Sequence, residues 1–277
     1  MVSIKQPKAL LGIPRSFRPR ALLILALVGA LLLLFSIVTA AGAGDVTDTW
    51  KKRIQVEPSG VTGPVPVVIF VHGCSGLGTL GTLHPDTQHW VQTVTGAGYR
   101  FVAPDSWARG TWSRPNSCPT PLNAPQPTGE TRLKVRLMRI EEMAYSVARL
   151  HEDATVDQAR IVLFGHSEGG LAIATSAPPA GIGGLIISGW TCHSSVALGR
   201  GIAAPPSIPF LALGFEQNPT VGITQGRCSE FFPGRDGAKE LILNGAGQSD
   251  GLLGRDFLDR FKVVVDPAAG VVTLVPR

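Results

Sequence analysis

Gly165-His166-Ser167-Glu168-Gly169-Gly170 sets a serine hydroxyl among glycines. It follows the apolar run Ile161-Val162-Leu163-Phe164 and precedes the helix-compatible Leu171-Ala172-Ile173-Ala174. A serine on so tight a strand-to-helix turn needs small neighbours, because the backbone there is strained and packs closely against adjacent elements. The hydroxyl is then held up at a helix N-terminus, where the Glu168 amide can donate to an oxyanion developing on an attacked carbonyl. That is the chemistry of nucleophilic acyl transfer, with Ser167 as the candidate nucleophile. A second donor is expected from the bend after an earlier strand. Val68-Ile69-Phe70-Val71 followed by His72-Gly73-Cys74-Ser75-Gly76 supplies one, with the Cys74 N–H as the candidate. His72 reads as a structural histidine that pins this bend.

Strands must carry these turns. Short apolar runs alternate with longer amphipathic stretches, the pattern of parallel strands joined by crossover helices. The runs predict strands over Val65 to Val71, Tyr99 to Ala103, Arg160 to Phe164, Gly184 to Ser188, Pro209 to Leu213 and Glu240 to Leu243. A hairpin is expected from Lys262 to Val265 and Val271 to Val275. Leu133, Leu137, Ile140, Ala144 and Val147 recur at helical spacing, with Glu141, Glu142 and Arg149 between them, and predict a helix lying on the sheet by that apolar face. Five prolines between Trp112 and Pro127, around Cys118, exclude a helix interior or central strand there and read as a surface loop.

The chain has 277 residues and a formal net charge of +5. Lys5, Lys8, Arg15, Arg18 and Arg20 are the only charged side chains before Asp45, so they account for the whole excess. The basic balance therefore gives no support to nucleic-acid binding. An uncharged, Leu- and Ala-rich run from Ala21 to Gly44 follows them, ending in small residues. Residues 1–44 read as an export signal or an uncleaved membrane anchor, with the apolar segment at 21–43. Either reading places residues 45–277, a single domain, outside the cytoplasm, in the periplasm or another extracytoplasmic space, anchored to the inner membrane if uncleaved. Cys74, Cys118, Cys192 and Cys228 all lie beyond the leader, an even number in an exported chain, and two disulfides are expected. Sequence alone allows three pairings. No metal-ligand spacing or organic cofactor motif is present, so neither a metal nor a cofactor is expected.

His72-Gly73-Cys74-Ser75-Gly76, Trp90, Gly98-Tyr99-Arg100-Phe101-Val102-Ala103-Pro104-Asp105-Ser106 with Arg109-Gly110 and Cys118, and finally Gly165 to Gly170, occur in an order that resembles the dienelactone hydrolase family of α/β hydrolases. The resemblance runs from Val65 to Gly247. It implies an α/β fold with a doubly wound, mostly parallel sheet. It also implies a nucleophile, an acid and a histidine in that chain order, acting on a small-molecule ester or lactone. Two bridges are implied as well: Cys74 with Cys118, and Cys192 with Cys228.

The pattern breaks at the base. Leu241-Ile242-Leu243-Asn244-Gly245-Ala246-Gly247 is followed by Gln248 where such hydrolases carry histidine, and no histidine follows His193. A glutamine amide can hold a hydroxyl by hydrogen bonding but cannot take its proton. Losing a triad member typically costs about 10⁴ to 10⁶ in turnover. The acid is irregular too: Gly214-Phe215-Glu216-Gln217-Asn218-Pro219 puts Gln217 or Asn218 at the acid position and leaves Glu216 as the only carboxylate in that turn. His193, after Gly189-Trp190-Thr191-Cys192, is the best-placed replacement histidine, and Asp250 is a weaker alternative as a lone carboxylate base. Trp107, Trp112 and Trp190 are candidates for an apolar pocket lining. Two function classes follow: an esterase or lactonase with a substituted base, or a catalytically inactive hydrolase fold that binds a ligand or partner in the cell envelope.

Overall fold

Seven strands form one sheet in the order β1-β5-β2-β6-β7-β8-β9: β1 (Ile54–Val56), β2 (Val65–Val71), β5 (Arg100–Ala103), β6 (Val156–His166), β7 (Gly184–Ser188), β8 (Phe210–Phe215) and β9 (Ala238–Leu243). The computed structural model describes residues 45–79, 82–109, 129–193, 199–216, 226–243, 261–266 and 271–276. All of them lie in one compact unit, Gly44–Arg277. Only β1 runs antiparallel to its neighbour within the large sheet. Every residue of β2, β5 and β7 is buried, as expected for parallel strands covered on both faces.

The two faces are covered by different helices. Helix α2 (Pro85–Gly96) sets Trp90 and Val94 against Phe70, Phe101 and Phe164. On the other face, α3 (Gly129–His151) and α4 (Glu168–Thr175) pack Met143, Val147, Leu150 and Ile173 against Val67, Ile69, Leu163 and Ile187. This is a doubly wound α/β architecture with a mostly parallel sheet. A small hairpin of β3 (Gly78–Thr79) and β4 (Thr82–Leu83) links β2 to α2, and a short helix, α1 (Val46–Lys51), precedes β1. A final hairpin pairs β10 (Phe261–Asp266) with β11 (Val271–Pro276), where the sequence places one.

The winding creates the crevice. After β2 the chain passes to α2 on one face, and after β6 it passes to α4 on the other. Val71 pairs with Gly165, so β2 and β6 end level and their following turns emerge side by side. Their helices then lie on opposite faces, and the carboxyl edge between two such strands is where doubly wound sheets place their crevice.

The strands differ from the expected bounds by a few residues at most, with β6 starting earlier, at Val156. Strand β1 has no counterpart in the sequence reading. Helix α3 departs further. Its expected apolar face is only partly the buried one: Val147 is buried and Ile140 packs against the core, but Leu133, Leu137 and Ala144 are exposed, and Val135, Met138, Met143 and Leu150 are buried instead, together with Arg139, Glu142 and Ser146. The helix is turned by a buried polar cluster that Arg139 and Glu142 must reach. Cys118 and the rest of the proline-rich segment, like residues 1–44, lie outside the described residues. Among the described residues no helix is long and apolar enough to cross a membrane.

Cys192, just after β7, is bonded to Cys228, at the start of a short 3-10 turn before β9. Glu240 of β9 receives the Cys228 N–H at 2.8 Å and the Ser229 hydroxyl at 2.6 Å, so the bridged turn is also tied to the edge strand. The bridge spans 36 positions. Replacing both cysteines by serine is expected to lower unfolding stability by about 2 to 4 kcal/mol in urea titrations under non-reducing conditions.

Candidate active site

Ser167 occupies φ 52° and ψ −113°, a left-handed conformation that a non-glycine residue holds at a cost of about 1 to 3 kcal/mol. Two backbone bonds hold it there. Its N–H donates to the Ser188 carbonyl at 2.8 Å, and its own carbonyl receives the Leu171 N–H at 3.0 Å. The neighbouring glycines are required by close approach. A methyl group on Gly169 would overlap the Val71 carbonyl, and one on Gly165 would overlap the Gly169 carbonyl. Helix α4 is thereby pressed against the end of β2. Ser167 stays partly exposed while Gly169 and Gly170 are buried, so the turn lifts its residue out of the core.

The bend after β2 passes directly over this turn. A Cβ on Gly73 would stand 3.1 Å from the Ser167 Cβ. Gly76 N–H closes the bend onto the Gly73 carbonyl at 3.2 Å, and the Trp107 indole covers Gly76. His72 is fully buried beneath, and its Nδ1 lies 2.7 Å from the Gly73 carbonyl. That distance makes Nδ1 the protonated, donating nitrogen. Nε2 then accepts from the Ser106 N–H at 3.3 Å, while the Arg139 guanidinium lies against both ring nitrogens, 3.1 Å from Nε2 and 3.2 Å from Nδ1. Burial first, and then the Arg139 charge, hold the imidazole pKa well below 6.5, so His72 is neutral.

This geometry aims an amide. The Gly73 carbonyl and the Cys74 N–H belong to one trans peptide and point in opposite directions. A carbonyl held towards His72 turns the Cys74 N–H away from the interior.

Beneath His72 lies a chain of buried charge. Arg139 donates to the Ser106 hydroxyl, which donates to Glu142, and Arg139 lies 3.5 Å from Glu142. Arg109 adds a 2.5 Å contact with Glu141 and a 3.9 Å contact with Glu142. Burial nonetheless raises the Glu142 pKa, against the opposing pull of Arg139, Ser106 and Arg109. Sequence reading assigned no role to Arg139, Ser106 or Glu142. Arg139 and Glu142 signal themselves only by an i,i+3 ion-pair spacing on the helix, and Ser106 only by its place in the segment that carries the family resemblance.

Glu168 has a mostly buried side chain whose Oε2 lies 3.0 Å from the Cys74 Sγ. Burial raises its pKa; Arg139 and Arg132 oppose the shift, while Glu142 adds to it. Cys74 is itself disulfide-bonded. Its expected partner, Cys118, lies outside the described residues. His193 follows the Cys192 bridge, with Nε2 3.2 Å from the Arg227 carbonyl and 3.4 Å from Glu230, and its ring 5.0 Å from that of Phe231. Its side chain is thus engaged by the segment after β8. Glu216 sits exposed just beyond β8, at the carboxyl edge. Gln248, Asp250, Gln217, Asn218 and Trp112 lie outside the described residues. Trp190 is half-buried after β7, and its indole Nε1 is buried without a hydrogen-bond partner. Among the described residues no group of His, Cys, Asp or Glu could hold a metal ion.

No protein-family model matches the chain. No curated protein matches it either. Solved structures do. Esterase PE8 is 18% identical with a TM-score of 0.49, covering 74% of this chain and 93% of its own. Thermogutta terrifontis esterase 2, phosphonylated by cyclosarin, is 13% identical with a TM-score of 0.47, covering 74% and 84%. A dienelactone hydrolase-like promiscuous phosphotriesterase from metagenomic libraries is 14% identical with a TM-score of 0.46, covering 70% and 76%.

Two measurements check this geometry. Gly169→Ala forces α4 away from β2 and is expected to destabilise the protein by about 1 to 3 kcal/mol in denaturant titrations. Because His72 resists the proton that an unfolded histidine takes up near pH 6.5, its contribution to stability must fall on acidification, while the raised carboxyl pKa values of Glu142 and Glu168 act in the opposite sense. The His72 share is expected to be about 1 kcal/mol over the first pH unit below that value, read as the difference between the wild-type and His72→Gln stability curves.

Proposed function

We propose that this chain is an exported, serine-dependent hydrolase of dienelactone-hydrolase type acting on carboxylic esters or lactones. The observation that carries the proposal is the partly exposed Ser167 at φ 52° on a strand-to-helix turn, with the Gly73-Cys74 bend passing over it. Ser167 Oγ attacks the acyl carbon, and the amides of Cys74 and Glu168 receive the oxyanion. The leaving alkoxide takes up the proton that the Ser167 hydroxyl gave up, and water later attacks the acyl-serine ester, releasing the acid and returning a proton to Ser167. The proton relay is a substituted one, with Gln248 at the histidine position and His193 and Glu216 as the groups available at the same sheet edge. The Cys192–Cys228 bridge supports an oxidising compartment outside the cytoplasm. Residues 1–44 direct the chain there, as a signal or as an anchor through 21–43.

One observation favours the second reading, a catalytically inactive fold that binds a ligand or envelope partner: the His193 imidazole is engaged by Arg227 and Glu230. A fluorophosphonate probe separates the two. The hydrolase reading expects one covalent adduct per chain, located on Ser167 by mass spectrometry and lost in Ser167→Ala. It also expects Gln248→His to raise p-nitrophenyl ester turnover by at least about tenfold. An unlabelled Ser167 in both wild type and Gln248→His would leave the binding reading.

A further inference from the structure

Cys74 and Glu168 are 94 positions apart, and beyond supplying the two proposed oxyanion amides they touch through their side chains. The Glu168 Oε2 stands 3.0 Å from the Cys74 Sγ. Cys74 is disulfide-bonded, so its sulfur has lone pairs and no hydrogen to give. Away from the extension of the S–S bond, a carboxylate oxygen at that distance would set lone pair against lone pair. A carboxylic acid makes the contact favourable, as O–H donating to sulfur. Burial of Glu168 works in the same direction. Among the described residues, the charges of Arg139 and Arg132 on α3 favour its ionisation and that of Glu142, also on α3, opposes it.

We propose that Glu168 is a positioning residue that works as a neutral acid: its carboxyl O–H clasps the Cys74 sulfur, joining the bend after β2 to the start of α4 and keeping a negative charge away from the oxyanion site. The clasp rests on the hydrolase reading for its catalytic consequence, but not for its existence. Covalent geometry keeps Oε2 within about 7 Å of the Cys74 nitrogen. A full negative charge there opposes the oxyanion and is expected to slow acylation by about tenfold or more. Reduction of the Cys74 disulfide by a dithiol, which delivers two electrons and two protons and is itself oxidised to a disulfide, reverses the bond. The new thiol S–H then donates, and the carboxylate form of Glu168 becomes the stable partner.

Infrared difference spectroscopy tests the clasp without requiring activity. Full-length protein at about pH 6 is expected to show the carbonyl band of a protonated, buried carboxylic acid that Glu168→Gln removes. Glu142→Gln serves as the control that assigns the second buried acid. Dithiol treatment is expected to weaken the Glu168 band. The rate of fluorophosphonate labelling gives the second readout. In wild type it should fall about tenfold as pH rises through the Glu168 ionisation, and that alkaline limb should vanish in Glu168→Gln, whose amide still donates to sulfur. A missing Glu168 band at pH 6 overturns the clasp whether or not the serine reacts. A band without any labelling overturns the hydrolase reading and leaves the clasp standing. A band with a labelling rate that ignores its titration removes the catalytic role.

Discussion

The closeness of α4 to the end of β2 is the constraint on which the remaining geometry depends. Gly169 stands against the Val71 carbonyl with no room for a side chain, and Val71 pairs with Gly165 across the sheet. Those two contacts determine where the turn at Ser167 sits and how sharply it bends. The left-handed backbone at Ser167 stores strain, which the bonds to Ser188 and Leu171 and the buried face of α4 offset. Because the bend after β2 lies over the same turn, anything that moves the strand end moves both proposed oxyanion amides together.

That bend is supported from below by polar groups rather than by apolar packing. His72, Ser106, Arg139 and Glu142 are all buried. Burying such groups is expensive, and leaving one of them unpaired costs about 3 to 5 kcal/mol for an ion pair. A hydrophobic plug would have been cheaper, but it could not orient a peptide plane. His72 does so by donating to one carbonyl with Nδ1 and accepting with Nε2, which requires a neutral imidazole of a single tautomer. The Gly73 carbonyl and the Ser106 N–H select the tautomer, and the Arg139 charge disfavours a second positive charge on the ring.

The sheet was legible because buried parallel strands are written as continuous β-branched runs, and the hairpin near the C-terminus was legible for the same reason. Strand β1, three residues including Gln55, carries too short a pattern to stand out. The turn at Ser167 could be read because glycines on both sides of one serine have few other uses. Helix α3 was misread because periodicity counts apolar residues and cannot see that Arg139 and Glu142 find partners inside. The Cys192–Cys228 bridge followed from a resemblance, since its Cα atoms become neighbours only once β7 and the turn before β9 are in place. The contact between Cys74 and Glu168 joins two turns far apart in the chain, and no local pattern announces it.

The charge balance around the Gly73-Cys74 peptide bears on why histidine and glutamate are tolerated beside a site proposed to carry a transient negative charge. Burial pushes His72 and Glu168 in opposite senses of pKa, and both shifts favour the uncharged form. The Glu142 acid is displaced the same way. Arginine is effectively always protonated, so Arg139, like Arg109 beside Glu142, is a fixed charge of this cluster, and its sign suits an oxyanion. An isolated buried guanidinium would be prohibitive. Here it is hydrogen-bonded to His72 and Ser106 and lies close to Glu142, groups that can shift their protons but not their positions. Negative charge developing above the bend is therefore met by oriented dipoles and one cation that are already in place. They need not reorganise when the charge forms, and that preorganisation is what makes a buried arrangement of this kind useful to acyl transfer.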